Sequence, residues 1–203
     1  MDKILIKLMS INEVINNYHF VLSFVSNERR IKAKSYKQEK DRFLSLGAGY
    51  LLQKYLPNRE IKYSDTNKPY VEDGPYFNIS HSKDYIVFVM DEKEIGVDIE
   101  EIKENKIDAI KYVLNELEKE ETDINNLFLM WSNKESLIKC ESNGIRDIKD
   151  APSLPLEGKR LFNEEMFYTK SMLFNNYSLS VTRKSDNPFE IEIEEIKIQE
   201  KTP

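Results

Sequence analysis

Short apolar-rich runs recur along the chain, and their lengths are typical of β-strands rather than of helices. Tyr85–Met90 is nearly continuously apolar, so we expect it to be a central strand of a sheet. The other predicted strands are Ile4–Leu8, Phe77–Ser80, Ile95–Glu100, Tyr177–Thr182 and Phe189–Ile198.

Helical periodicity is clearest over Gln38–Leu56, where apolar side chains such as Phe43 and Tyr50 recur on one face and Pro57 follows the last turn. Hairpin-like strand neighbours between helices favour an α+β fold over a doubly wound sheet. We also predict helices at Asp108–Glu121 and Ile124–Cys140, a charged helix or turn over residues 27–37, and loops over residues 62–76 and Asp147–Pro155.

The length of 203 residues fits one domain, or two small ones that share an interface. The single cysteine, Cys140, excludes an internal disulfide and a four-ligand Cys/His zinc site. No apolar run approaches the roughly 20 residues of a membrane span, and the charged N-terminus is unlike a signal peptide. We therefore expect a soluble cytoplasmic protein without a membrane partner.

A net charge of -6 argues against general nucleic-acid binding. The charge is unevenly spread, because six basic residues and one acid lie between Arg29 and Lys40, whereas acids dominate from Asp91 to Asp123. The basic strip fits a small polyanion or an acidic protein partner. The alternative is an ordinary solvated helix face.

Asp98 and Glu100 are two positions apart within Ile95–Glu100, so their side chains share one face of the predicted strand. Two carboxylates at a strand end can hold a hard divalent cation, and Mg²⁺ suits them best because it combines few carboxylates with phosphates and waters. The alternative is a strand with a polar outer face.

Glu135 and Lys139 lie one helical turn apart and share a stripe with Trp131. Glu135 can serve as a third metal ligand or a general base, and Lys139 can contact a phosphate. The alternative is a Glu–Lys surface pair, which contributes about 0.2–0.5 kcal/mol.

Two further stretches can contact an anion. Ser80 and His81 lie at a strand end, where a hydroxyl and an imidazole can bind phosphate oxygens, and Pro69 fixes a loop beside Lys68. Taken alone, His81 is more simply explained as a polar residue with an ordinary partner.

Four motifs in this order resemble the 4'-phosphopantetheinyl transferase superfamily: Lys-Pro-Tyr, Asn-Ile-Ser-His-Ser, Gly-Val-Asp-Ile-Glu and Trp-Ser-x-Lys-Glu-Ser-x-x-Lys. The matched blocks run from about Lys68 to Gly144, and more loosely from Arg29. The length resembles that of the surfactin-synthetase-activating type, which is a monomeric pseudodimer.

The resemblance implies two similar α+β halves, which we divide as residues 1–90 and 91–203, with the active site in the cleft between them. It also implies magnesium-dependent transfer of the phosphopantetheine arm of coenzyme A to a serine of an acyl, peptidyl or aryl carrier protein, an acidic helical bundle. Adenosine 3',5'-bisphosphate is the second product.

Residue by residue, the resemblance implies that Asp98, Glu100 and Glu135 bind Mg²⁺, that Glu135 also accepts the serine proton, and that Lys139 lies near the pyrophosphate. The residues implied to contact coenzyme A are Lys68, Pro69, Ser80, His81, Arg42 and Arg30, with Arg29, Lys32 and Lys34 as alternatives to Arg30 at the 3'-phosphate.

Other functional classes also remain open: a binding protein without turnover, or another magnesium phosphotransferase or phosphohydrolase. No P-loop or kinase catalytic loop is present in the sequence.

Overall fold

The structure is a computed structural model that describes residues 2–65, 67–141, 148–151 and 155–198. Within these residues the helices are α1 (Ile11–Asn16), α2 (Tyr18–Phe24), α3 (Asn27–Ser35), α4 (Glu39–Tyr55), α5 (Ile107–Val113) and α6 (Ile124–Cys140). The strands are β1 (Asp2–Ser10), β2 (Lys62–Tyr63), β3 (Pro69–Tyr70), β4 (Tyr76–Ser82), β5 (Tyr85–Asp91), β6 (Ile95–Glu101), β7 (Glu157–Phe162), β8 (Glu165–Phe174), β9 (Tyr177–Arg183) and β10 (Phe189–Glu195).

Two four-stranded sheets form the body of the fold, with the strand orders β10-β1-β5-β4 and β6-β9-β8-β7. β10 pairs in parallel with β1, and the other neighbours in both sheets are antiparallel. β5 lies between β1 and β4, which confirms the central place that its apolar sequence predicts.

The two halves are similar, because each combines one of these sheets with a 17-residue helix, α4 or α6. α4 packs on the first sheet through a core that includes Leu51 and Phe88. A second core, with Ile6, Val87, Val97 and Leu179 among its members, joins the two sheets. The α+β class and the paired halves are therefore confirmed, whereas the division at residue 90 stays a prediction.

Gly96 allows α6 to pack directly on β6. A Cβ added there would lie 2.1 Å from the carbonyl oxygen of Ser136 and 2.5 Å from the backbone nitrogen of Cys140. Val97 and Ile99 point the other way, into the core between the sheets. Asp98 and Glu100, on the same face of β6 as Gly96, therefore face the α6 side.

Most predicted elements are confirmed, and α6 has the predicted bounds. The predicted helix Asp108–Glu121 is wrong beyond Val113, because Asn115 and Glu118 cap each other through two 2.9 Å hydrogen bonds and begin a 3₁₀ turn.

The sequence pattern did not predict α1, α2, β7 or β8, nor the small β2–β3 hairpin inside the predicted loop 62–76. Part of the predicted loop Asp147–Pro155 lies outside the described residues, and Ile148–Asp150 forms a 3₁₀ turn. None of the helices within the described ranges is long and apolar enough to cross a membrane.

Candidate active site

Polar side chains from three elements meet where the two halves adjoin. β4, the edge strand of the first sheet, contributes Ser80 and Ser82. β6, the edge strand of the second sheet, contributes Asp98 and Glu100, and α6 contributes Lys139. The structure thus brings together residues that are up to 59 positions apart in the chain.

Asp98 is the centre of this group, and its side chain is almost completely buried. Its Oδ1 atom accepts hydrogen bonds from Ser80 Oγ at 2.9 Å and from Lys139 Nζ at 2.6 Å. Its Oδ2 atom is buried and has no hydrogen-bond partner among the described residues. Because a buried carboxylate oxygen without a partner is costly, this atom is suited to a ligand that brings positive charge.

Glu100 and Glu135 flank Asp98 and are half-buried. Glu100 Oε2 accepts hydrogen bonds from Ser82 Oγ at 3.2 Å and from Lys106 Nζ at 2.7 Å. Burial and then the negative charge of Asp98 raise the pKa of the Glu135 carboxyl; Lys139 opposes this, Glu100 adds to it, and the net shift is upward. The three carboxylates therefore repel one another across the site, and a cation would relieve that repulsion.

No three Asp, Glu, His or Cys side chains within the described ranges form a complete metal-binding cluster by themselves. A complete cluster of protein ligands is not needed for Mg²⁺, because this ion commonly completes its coordination with substrate phosphates and waters. The unpartnered Oδ2 of Asp98 and the mutual repulsion with Glu135 fit such a cation. By its chemistry, this donor set suits Mg²⁺.

Lys139 contributes a fixed positive charge. Burial lowers the pKa of its ammonium group, but the charge and hydrogen bond of Asp98 raise the pKa by more, so the net shift is upward. Lys139 forms its ion pair with Asp98 on β6, at 2.6 Å, and the structure gives it no ion pair with Glu135. The alternative of a simple surface pair along α6 is therefore not what the structure contains.

A basic pocket of about 220 Å³ is lined in part by His81, the residue that follows Ser80 on β4. Arg29 and Lys32 of α3 line it together with Tyr63, Pro69 and His81. Arg29 Nη2 lies 3.5 Å from the Tyr63 hydroxyl, and Lys32 Nζ lies 5.3 Å from the centre of the Tyr63 ring.

The same pocket is lined by Ser45 of α4, whose buried hydroxyl has no partner among the residues that the structure describes. Its two cations outnumber the carboxylate of Asp41, which also lines it, so the pocket can accept a phosphate group.

The sequence of the C-terminal half matches a known family. The model of the 4'-phosphopantetheinyl transferase superfamily matches residues 94–194, which include β6 and α6 with their carboxylates. The chain belongs to the 4'-phosphopantetheinyl transferase superfamily. This confirms the resemblance that the four motifs indicate.

The chain is similar to curated proteins from bacilli. The chain is 31% identical over 143 residues to the 4'-phosphopantetheinyl transferase gsp of Aneurinibacillus migulanus, a match that covers 63% of this chain and 60% of that protein. It is 31% identical over 155 residues to Sfp of Bacillus subtilis (67% and 65%), and 33% identical over 154 residues to ffp of Bacillus subtilis (68% and 66%). The chain thus spans less than two thirds of the length of these relatives.

Two basic residues that we expect to contact coenzyme A, Arg30 and Arg42, do not line the basic pocket. The Arg30 guanidinium donates to the carbonyl oxygen of Val25 at 3.0 Å, at the end of α2. The Arg42 guanidinium donates to the carbonyl oxygen of Tyr36 at 2.8 Å, at the end of α3. Both side chains are held by helix-terminal carbonyls and line a separate groove.

Lys68 also has a structural contact, because its ammonium donates to the carbonyl oxygen of Cys140 at 2.9 Å and so holds the end of α6. Burial lowers its pKa. Ser80 donates a hydrogen bond to Asp98, and Pro69 and His81 line the basic pocket. Their roles toward coenzyme A stay predictions.

Sequence reasoning missed Ser45, Tyr63, Ser82 and Gly96. The Gly-Val-Asp-Ile-Glu motif contains a signal for Gly96, since a glycine inside a strand often marks close backbone approach.

Proposed function

We propose that the protein transfers the 4'-phosphopantetheine arm of coenzyme A to a serine hydroxyl of an acyl or peptidyl carrier protein. Adenosine 3',5'-bisphosphate is released. The proposal rests chiefly on one observation: the carboxylates of Asp98, Glu100 and Glu135 and the ammonium of Lys139 come together where β4 meets β6. His81, the residue after Ser80 on β4, lines a basic pocket of the first half.

Asp98, Glu100 and Glu135 are the residues that would hold Mg²⁺. When bound, Mg²⁺ supplies Lewis-acid chemistry, neutralising charge on the pyrophosphate and orienting it. The support from the chain is the Oδ2 of Asp98, which is buried without a hydrogen-bond partner among the described residues, and the combination of burial and repulsion by Asp98 that raises the pKa of Glu135.

Glu135 accepts the proton that the carrier serine loses as its oxygen attacks the β-phosphorus of coenzyme A. A general base works best when its pKa lies close to the working pH. Burial and the charges of Asp98 and Glu100 move the pKa of Glu135 in that direction, and they outweigh the opposing charge of Lys139.

Lys139 stabilises the negative charge that develops on the departing nucleotide phosphate. Its raised pKa keeps the ammonium protonated at neutral pH. Asp98 and Ser80 hold that ammonium at 2.6 and 3.1 Å, so the charge is positioned before the reaction begins.

The basic pocket binds the nucleotide end of coenzyme A. Arg29 and Lys32 contact the 3'-phosphate, and the Ser45 hydroxyl can donate to it. His81 and Pro69 line the same pocket. Arg29 and Lys32 replace Arg30 in this role, because Arg30 is bound to the carbonyl of Val25.

The proposed partner is an acidic helical carrier protein, which suits the basic strip of α3. A monomer in the cytoplasm suffices for the reaction, because one chain provides both halves of the site.

The test is incubation of the protein with a carrier protein, coenzyme A and Mg²⁺, followed by intact-mass measurement of the carrier. A mass gain of one phosphopantetheine arm supports the proposal. Binding of coenzyme A without a mass gain would instead indicate a binding protein, and release of free phosphate would indicate a phosphohydrolase.

A further inference from the structure

β4 and β6 lie side by side as the edge strands of two different sheets. Polar side chains of β4 join them: Asn78 Oδ1 accepts from the Val97 backbone N–H at 3.1 Å, and Ser80 Oγ donates to Asp98 at 2.9 Å. Ser82 makes the next contacts, with Glu100 and Glu101. Asn78, Ser80 and Ser82 of β4 thus bond in turn to Val97, Asp98 and Glu100–Glu101 of β6. Every second residue of β4 therefore links the two sheets.

Ser82 makes two hydrogen bonds of different kinds. Its Oγ accepts from the backbone N–H of Glu101 at 3.0 Å and donates to Glu100 Oε2 at 3.2 Å. A hydroxyl has a single proton, and the bond from Glu101 fixes the oxygen so that this proton can point at the carboxylate. Ser82 is 8% exposed, so water competes little for either bond.

We propose that Ser82 is a positioning residue for the metal site: it holds the Glu100 carboxylate in the orientation that binds the cation. The inference rests on the proposed function, in which Glu100 is a metal ligand. Groups that hydrogen-bond to metal ligands fix their orientation, and their loss typically costs about 10–100-fold in metal affinity. Lys106 binds the same oxygen at 2.7 Å, but its side chain is 44% exposed, so it constrains Glu100 less.

Ser178 offers a matched control on the strand next to Glu100. It is the register partner of Glu100 on β9, and its side chain is completely buried. Its hydroxyl has no hydrogen-bond partner among the described residues. Ser178→Ala therefore removes a buried hydroxyl close to Glu100 without removing a hydrogen bond to the carboxylate.

The experiment measures Mn²⁺ binding by electron paramagnetic resonance, with coenzyme A present and thermal melts alongside. We expect Ser82→Ala to weaken Mn²⁺ binding about 10-fold, while Ser82→Thr, which keeps the hydroxyl, and Ser178→Ala stay close to wild type. Ser82→Cys, with its weaker donor, should fall between wild type and Ser82→Ala, and it serves as the test variant if Ser82→Ala fails to fold.

A second comparison removes the carboxylate itself. In a Glu100→Gln background, Ser82→Ala should cause little further loss of Mn²⁺ affinity, because the two residues act as one unit. Equal affinity in wild type and Ser82→Ala, an equal loss in Ser178→Ala, or a full further loss in Glu100→Gln would overturn the inference. A wild-type protein that neither binds Mn²⁺ nor modifies a carrier would overturn the proposed function itself, which is a distinguishable result.

Discussion

At the scale of single residues, rotation around α3 determines which basic side chain reaches the pocket. Ser26 caps the helix by accepting from the backbone N–H of Arg29. Arg29 and Lys32 are three positions apart and so lie on one face, whereas Arg30 is rotated by about 100°. Placing the 3'-phosphate on Arg29 follows from this rotation, and a pair of neighbouring variants tests it.

We expect Arg29→Ala to raise the KM for coenzyme A about 10-fold or more, because a hydrogen bond to a charged group contributes about 1.5–3 kcal/mol. The kcat should change less, since this contact is common to the ground and transition states. With dephospho-coenzyme A, which lacks the 3'-phosphate, wild type and Arg29→Ala should have similar KM values.

Arg30→Ala is the control for this measurement, because Arg30 binds the Val25 carbonyl instead of facing the pocket. Its KM for coenzyme A should match wild type. Equal KM values for Arg29→Ala and Arg30→Ala would contradict the assignment.

A separate prediction concerns the positive charge of Lys139. Lys139→Met should lower kcat by about 10–1000-fold, the range of comparable charge-stabilising contacts, because leaving-group charge is greatest in the transition state. Lys139→Arg should recover only part of the activity, since a planar guanidinium cannot replace a compact ammonium. The measurement is kcat at saturating coenzyme A and carrier, with melts alongside, and an unchanged kcat in Lys139→Met would refute this role.

At the scale of elements, the contact between α6 and β6 fixes the distance between Lys139 and Asp98. Gly96→Ala would place a methyl group against the α6 backbone, and overpacking of this kind costs about 1–3 kcal/mol. We expect a lower free energy of unfolding, measured by urea denaturation, together with a lower kcat because α6 moves away.

Gly74→Ala serves as the comparison, because its methyl group would also come within 2.3 Å of another atom, but that atom is a side-chain methyl of Val71 in a loop and not the backbone of α6. Should Gly96→Ala be as stable and active as Gly74→Ala, the close packing of α6 on β6 would not be needed for the site.

A buried ion pair anchors the 3₁₀ turn after α5 to α6. Lys134 Nζ lies 2.9 Å from Glu118 Oε2 and donates to the Ala151 carbonyl oxygen at 2.8 Å, and both side chains are buried. Lys134→Met should lower the free energy of unfolding by about 3–5 kcal/mol, because it leaves the Glu118 charge buried and unpaired.

The double variant Lys134→Met/Glu118→Gln should lose less free energy of unfolding than Lys134→Met alone, since it leaves no buried charge without a partner. Urea denaturation compares the two variants, and a larger loss in the double variant would show that the pair is not coupled in this way.

The helices also show which element bounds a sequence pattern can predict and which it cannot. α6 was predicted to the residue because its apolar stripe is long and Asp123 caps its first turn. The helix after Asp108 was overextended because the mutual capping of Asn115 and Glu118 is a local contact that periodicity does not reveal. α1 and α2 have only six and seven residues, too short for a clear period.

For the site, the motifs predicted the three carboxylates and Lys139, which the structure brings together. They did not predict the direction of Arg30, which depends on where α3 begins. They also did not predict that Ser82 bonds to Glu100, which depends on how two separate sheets align.

At the scale of the whole molecule, the site requires both halves in contact. Ser80 comes from the first half, and its hydrogen bond to Asp98 crosses to the second. β10 returns to pair with β1 of the first sheet, and ion pairs such as Lys7–Glu194 at 2.5 Å reinforce this pairing. The central claim is therefore that one chain assembles a phosphopantetheinyl transfer site at this junction.

The most direct test is the intact mass of a carrier protein after incubation with coenzyme A and limiting Mg²⁺, compared between wild type and three variants. Wild type should add one phosphopantetheine arm, whereas Asp98→Ala, Glu100→Ala and Glu135→Ala should each add almost none, while melts show that all three remain folded. The account would be contradicted by a carrier that gains no mass with wild type, or by near-wild-type transfer in any two of the variants.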